Sequence, residues 1–190
     1  YISLDPDSGI RGKQFEKFVK WFLNTDPVWK SQVKEIWLWD EHPNRSEWGP
    51  DCGIDLVFND QEGKCWAVQA KCFSSEGSIK KKDMDSFISA ASDARFQGRI
   101  LVSSTDRIGP NADRILKTHK VVRVLLEDLR KSQIIFPKSP KDLSSGRRKD
   151  LRTPRPHQEE AITAVVKALK TTDRGQVLMA CGTGKTLTSL

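Results

Sequence analysis

Apolar positions follow two different periods along the first two thirds of the chain. Over residues 12 to 23, Phe15, Phe18, Val19, Phe22 and Leu23 recur at three- and four-residue steps, which predicts an amphipathic helix. Glu16 falls at the margin of that stripe, roughly 20° past Leu23 at ~100° per residue, so it projects along the core boundary. Glu35 to Asp40, with Ile36, Trp37, Leu38 and Trp39, reads as a first strand, and a loop rich in Pro, Asn and Gly spans 41–53. Two apolar runs follow, Gly53 to Phe58 and Cys65 to Lys71. They are joined by Asn59-Asp60-Gln61-Glu62-Gly63, the composition of a hairpin turn. Met84, Phe87, Ile88 and Ala91 predict a helix over 83–96 that Gly98 ends. Ile100 to Ser104 is a continuous apolar strand of the kind a parallel sheet covers on both faces. A helix over 111–119, a strand over 121–126 and a short helix over 127–131 complete the pattern. Strands alternating with helices predict an α/β fold with a mixed central sheet.

Residues 137–154 change character: Lys-Ser-Pro-Lys and Ser-Ser-Gly-Arg-Arg-Lys carry almost no apolar side chain. This composition predicts a linker between a domain over 1–136 and a second segment over 155–190. In that segment Ala161, Ile162, Val165 and Leu169 mark a helix from Pro156 to Lys170, a strand is expected over Gln176 to Met179, and a glycine-rich loop covers 180–186. At 190 residues there is room for one full domain and a remnant of another. The start at Tyr1 and the stop at Leu190, within an opening helix, suggest a piece of a longer polypeptide.

Composition narrows the partner. No apolar run approaches the roughly 20 residues of a membrane span, which argues against a membrane partner. Four Cys, at 52, 65, 72 and 181, form no CxxC pair, which disfavours structural zinc and disulfides and fits a reducing cytoplasm. A net charge of +7 favours a polyanion.

The candidate chemistry lies in polar residues where strands should be apolar. Gln69 and Lys71 share one strand face, and a hairpin would carry Asp55 alongside them. Burying such groups unpaired costs several kcal/mol, so the cluster is either an ion pair at strand ends or a site. A site of this make-up suits metal-dependent phosphodiester cleavage. Asp55 supplies an anionic ligand, the Gln69 side chain and the Ala70 carbonyl supply neutral oxygens, and Glu16 adds an acid. Lys71 is placed to orient or deprotonate a water or to neutralise developing charge. Asp51 is a competing acid or a turn cap. Lys80-Lys81-Lys82 is a DNA-backbone contact or a solvated face. Trp48 is the tryptophan nearest Asp55 in the preceding loop, whereas the six Trp as a group read as core.

With these residues in view, the chain resembles the PD-(D/E)xK nucleases, and within them the Mrr-like restriction endonucleases. Gly-Ile-Asp-Leu-Val around Asp55, Val-Gln-Ala-Lys around Gln69 and Lys71, and the helix bearing Phe15-Glu16 carry the resemblance. It implies a restriction-endonuclease-like mixed sheet flanked by helices and Mg²⁺-dependent cleavage of double-stranded DNA. Asp55, Gln69 and Lys71 would stand at the centre, with Glu16 as the helical acid. Gln at 69 departs from the wider superfamily's acid and removes one negative charge.

The C-terminal segment carries a second resemblance. Backbone N–H groups of a glycine-rich turn surround phosphate, and a lysine neutralises it. Met-Ala-Cys-Gly182-Thr183-Gly184-Lys185-Thr186 resembles motif I of superfamily 2 helicases, and Gln158 in Arg-Pro-His-Gln resembles their adenine-reading motif. The resemblance implies the start of a RecA-like motor that would bind ATP with Mg²⁺ in a full-length parent. In this fragment neither hydrolysis nor translocation is expected. The order nuclease, linker, motor resembles single-polypeptide type I restriction enzymes, whose remaining motor, methyltransferase and recognition domains would be partners. A nuclease fold acting as a non-catalytic DNA clamp is the alternative.

Overall fold

The computed structural model describes residues 4–49, 53–74, 76–145, 147–148, 155–172, 174 and 176–177. The chain divides into two units, Tyr1–Lys149 and Asp150–Leu190.

The first unit opens with α1 (Ser8–Thr25), which starts ahead of its apolar stripe because Asp7 caps it. The Asp7 Oδ1 accepts from the N–H groups of Gly9 and Ile10 at 2.9 and 3.0 Å, satisfying donors a helix start leaves free. Asp26 ends α1 and caps α2 (Pro27–Lys30), while its other oxygen accepts from the Ser132 hydroxyl at 2.5 Å. β1 (Val33–Leu38) gives way to a 3₁₀ turn over Trp39–Glu41, and a short α3 (Arg45–Trp48) lies in the expected loop. β2 (Leu56–Asp60) and β3 (Cys65–Lys71) form the hairpin, followed by α4 (Asp85–Ala90) and β4 (Gly98–Ser103). α5 (Pro110–Thr118), β5 (Val122–Val124), α6 (Leu126–Lys131), β6 (Ile134–Ile135) and β7 (Arg147–Arg148) complete the unit.

β1 to β5 form one mixed sheet in sequence order. The β1–β2 and β2–β3 pairs are antiparallel, with Leu56 opposite Val68 and Phe58 opposite Trp66. The β3–β4 and β4–β5 pairs are parallel, with Lys71 opposite Ser103. Alternation along the strands sends side chains into two cores. On one face Leu56, Phe58, Val68, Ile100 and Val102 pack with Phe15, Val19, Phe22 and Leu23 of α1. On the other, Ile54, Val57, Ala67 and Leu101 pack with Met84 and Phe87 on the α4 side and Leu116 of α5. Ile100, Leu101 and Val102 are each 0% exposed, so β4 is covered on both faces as its apolar run predicts. Each such side chain contributes about 1.5–3 kcal/mol when buried.

Some boundaries differ from expectation. β1 stops at Leu38 rather than Asp40 because the chain tightens into the 3₁₀ turn at Trp39, whose carbonyl accepts the His42 N–H at 3.4 Å. The helix expected over 83–96 covers only Asp85–Ala90. Arg99 Nε takes the Ala91 carbonyl at 2.8 Å, and Asp93 accepts the Arg95 N–H at 2.9 Å, which turns the chain away. Gly98 therefore does not end a helix; it opens β4, where a Cβ would stand 2.0 Å from Trp66 Cδ2.

Within the segment expected to link the two parts, a 3₁₀ turn covers Pro140–Ser145 and β7 pairs with β6. Leu143 packs against the core that α1 covers. The second unit contributes α7 (Pro156–Ala168), whose first turn is closed by Gln158 Oε1 accepting the Arg155 N–H at 2.8 Å. Of the strand and phosphate loop expected over 176–186, residues 178–186 lie outside the described residues. No helix among the described residues is long and apolar enough to cross a membrane.

Candidate active site

Asp55 is built in from three directions. Gly53 turns the chain at φ +107°, a backbone that L side chains rarely adopt, and a Cβ there would meet Ser86 Oγ at 2.7 Å. Ile54 then plugs the core at 0% exposure. The Asp55 N–H donates to the Val68 carbonyl at 3.0 Å, and its carbonyl accepts from Trp39. The residue sits just ahead of β2, yet its backbone is stitched to β3 and to the end of β1.

The side chains converge as the hairpin predicts. Asp55 Oδ2 accepts from the Ala70 N–H at 2.7 Å and from the Gln69 amide. Gln69 is 2% exposed, and its Oε1 has no hydrogen-bond partner among the described residues. A strand residue's N–H and C=O share one edge, so the Ala70 carbonyl faces the side on which its N–H meets Asp55. Lys71, the last residue of β3, lies on the Gln69 face, and its charge acts on Asp55. Glu16 approaches from α1 with its side chain 12% exposed and its carboxylate 3.0 Å from Lys13 Nζ. Glu16 and Asp55 line one cavity of about 240 Å³ with Lys13, Lys17, Leu38, Trp39 and Asp40.

Electrostatics mark Asp55 as the unusual group. Burial pushes its carboxyl up to about 6; the Ala70 N–H opposes this, the charge of Glu16 adds to it, and Lys71 and Gln69 oppose it. The Lys13 ammonium is held above the ordinary lysine value, first by its hydrogen bond to Glu16, with burial opposing and the charges of Glu16, Asp55 and Asp40 adding.

The oxygens available to a hard divalent cation are the Asp55 and Glu16 carboxylates, the Gln69 amide and the Ala70 carbonyl. No group of three or more His, Cys, Asp or Glu suited to a metal exists among the described residues. A mixed set with few carboxylates is the kind Mg²⁺ accepts, since it keeps several waters. The orphaned Gln69 oxygen fits that use: a buried acceptor without a partner costs about 1–3 kcal/mol, and a cation would satisfy it.

Other expected residues lie elsewhere. Gln158 belongs to the second unit, and Asp51 and the loop Gly182, Thr183, Gly184, Lys185 and Thr186 fall outside the described residues. Lys80, Lys81 and Lys82 are exposed on a 3₁₀ turn, with Lys81 bound to Asp85 at 2.8 Å. Trp48 stacks on His42 at 3.9 Å and packs against Trp39, with the Arg95 guanidinium 5.0 Å from its ring. It belongs to a ring cluster behind the site. Lys13, Lys17, Trp39 and Asp40 were not foreseen at the cavity. Their signal was faint: a lysine one turn before Glu16, and an acid directly after the first strand.

Residues 24–144 match the restriction endonuclease family Mrr_cat_2. The chain belongs to this restriction endonuclease family. Residues 151–190 match the start of the family of the res subunit of type III restriction enzymes, a helicase-like region. The restriction endonuclease fold also aligns with the ATP-dependent type ISP restriction-modification enzyme LlaBIII bound to DNA, with a TM-score of 0.72 and 29% identity. The match covers 94% of this chain and 12% of that enzyme. No curated protein sequence matches the chain. The fold is thus a restriction-endonuclease-like mixed sheet flanked by helices, followed by the beginning of a helicase-like segment.

Proposed function

We propose that this domain hydrolyses phosphodiester bonds of double-stranded DNA with Mg²⁺, as the cleaving part of a larger ATP-dependent restriction enzyme. One observation carries the reading: a buried carboxyl at Asp55, pushed up to about 6, next to a Gln69 amide oxygen without a partner. That pairing is costly without a cation and favourable with one.

Asp55, Gln69 Oε1, the Ala70 carbonyl and Glu16 would hold the ion. Bound Mg²⁺ supplies Lewis-acid polarisation of the phosphate and makes water easier to deprotonate. The Ala70 N–H and the Gln69 amide hold the Asp55 carboxylate in one orientation. Lys71 orients the attacking water and offsets the negative charge that develops on phosphorus oxygens. The cytoplasm suits the half-buried free thiols of Cys65 and Cys72. ATP with Mg²⁺, bound around Gln158 and Gly182 to Thr186, would drive the motor of the parent, and methyltransferase and recognition domains would select the DNA. Support comes from the aligned enzyme, which is ATP-dependent and bound to DNA.

One observation favours a DNA-binding module without cleavage: Glu16 already has a cation, Lys13, at 3.0 Å. Nicking of supercoiled plasmid in Mg²⁺ decides between the two. The native chain is expected to nick and Asp55→Ala to be inactive; equal nicking by both refutes the catalytic reading.

A further inference from the structure

One side chain beside the proposed cleavage residues has no part in the reaction itself. Lys13 lies on α1, one turn before Glu16, and its side chain is 64% exposed. A lysine in that position usually extends into water. Here its ammonium turns to the Glu16 carboxylate at 3.0 Å and lines the cavity that Asp55 and Asp40 share. All three carboxylates of that cavity act on it. Among them Glu41 is not included; that acid is taken by Lys20 at 2.5 Å, farther along α1.

We propose that Lys13 is an internal counter-ion of the cleavage centre, which competes with the divalent cation for Glu16 and leaves when the cation binds. The inference rests on the metal-dependent reading above. Charge makes the exchange specific. A dication and an ammonium group at one carboxylate repel each other, so each occupies Glu16 at the other's expense. Without metal, Lys13 keeps the Glu16 and Asp55 charges from facing each other uncompensated. With metal, its four-carbon stem lets the ammonium swing outward to the mouth of the cavity, beside Lys17, whose charge acts on Glu41. Two lysines are then presented together to the phosphate backbone of a bound duplex. Lys13 is a positioning residue: it acts through the Glu16 carboxylate it holds at 3.0 Å.

Calorimetric titration of Mn²⁺ into the whole chain at low salt, without DNA, tests the exchange independently of cleavage. Lys13→Met removes the competing charge and is expected to tighten Mn²⁺ binding about five-fold, the order of a partly exposed ion pair. Lys13→Arg keeps the charge and should bind Mn²⁺ as the native chain does. Raising the salt should narrow the gap between native and Lys13→Met proteins, because screening weakens the repulsion. Equal Mn²⁺ affinities for the native and Lys13→Met chains, with Asp55→Asn unable to bind, overturn the counter-ion while leaving the metal site intact. No Mn²⁺ binding by any of the proteins overturns both.

Discussion

Asp55→Asn separates what the carboxylate does for chemistry from what it does to the fold. In the metal-free domain the Asp55 carboxyl stands at about 6 against an ordinary 3.8, chiefly because it is buried. At ~1.4 kcal/mol per tenfold change in proton affinity, holding it ionised at neutral pH costs about 3 kcal/mol. The folded state binds this proton more tightly than the unfolded chain. Its contribution to stability is therefore whole below pH ~4, declines as pH rises, and is gone above ~6. An asparagine keeps one oxygen to accept from the Ala70 N–H and the Gln69 amide but carries no charge. In EDTA at pH 7.5, Asp55→Asn is expected to be more stable than the native chain by about 3 kcal/mol, or on the order of 10 °C in Tm. At pH 5 the gap should fall to about half, read from urea unfolding at both pH values. Saturating Mg²⁺ should reverse the order, because ligand binding stabilises the native chain alone. A gap that does not change with pH, or an Asp55→Asn chain less stable at pH 7.5, would refute the argument.

Three further substitutions probe the same framework. Lys71→Ala should slow plasmid nicking by about 10²–10⁴-fold, while anisotropy measured in Ca²⁺ shows DNA affinity nearly unchanged. Gly53→Ala forces a side chain onto a φ of +107° and against Ser86 at 2.7 Å. It should cost about 1–3 kcal/mol by urea unfolding and impair nicking by protein that still folds, since Asp55 follows two residues later. Gly98→Ala would set a Cβ 2.0 Å from Trp66 Cδ2. It should lower Tm by the equivalent of about 1–3 kcal/mol or more, with loss of near-UV dichroism as the ring is displaced.

The core was legible because burial writes a period into the sequence. Phe15, Phe18, Val19, Phe22 and Leu23 are all buried on α1, and the hairpin registers Leu56 with Val68 as its two apolar runs require. The centre of the candidate site stood out for the opposite reason: Asp55, Gln69 and Lys71 interrupt that period. What stayed hidden depends on tertiary partners. The stop of α4 at Ala90 comes from Arg99, eight residues beyond the carbonyl it takes at Ala91. The role of Gly98 depends on a tryptophan from the neighbouring strand. Lys13 and Asp40 look like ordinary surface charges until α1 and the end of β1 are set around Asp55. The short helix over Arg45–Trp48 carries no apolar stripe; it is held by ring contacts of Trp48 with His42 and Trp39.

Trp39 gives the candidate site an optical reporter that needs no label. Its indole is part of the cavity wall and touches Trp48, with ring centroids 5.7 Å apart. Emission from this pair is therefore sensitive to whatever enters beside Asp55. Mn²⁺, being paramagnetic, is expected to quench it if it binds there and Mg²⁺ is not, so a titration followed by tryptophan emission would report metal entry at the candidate site apart from any cleavage.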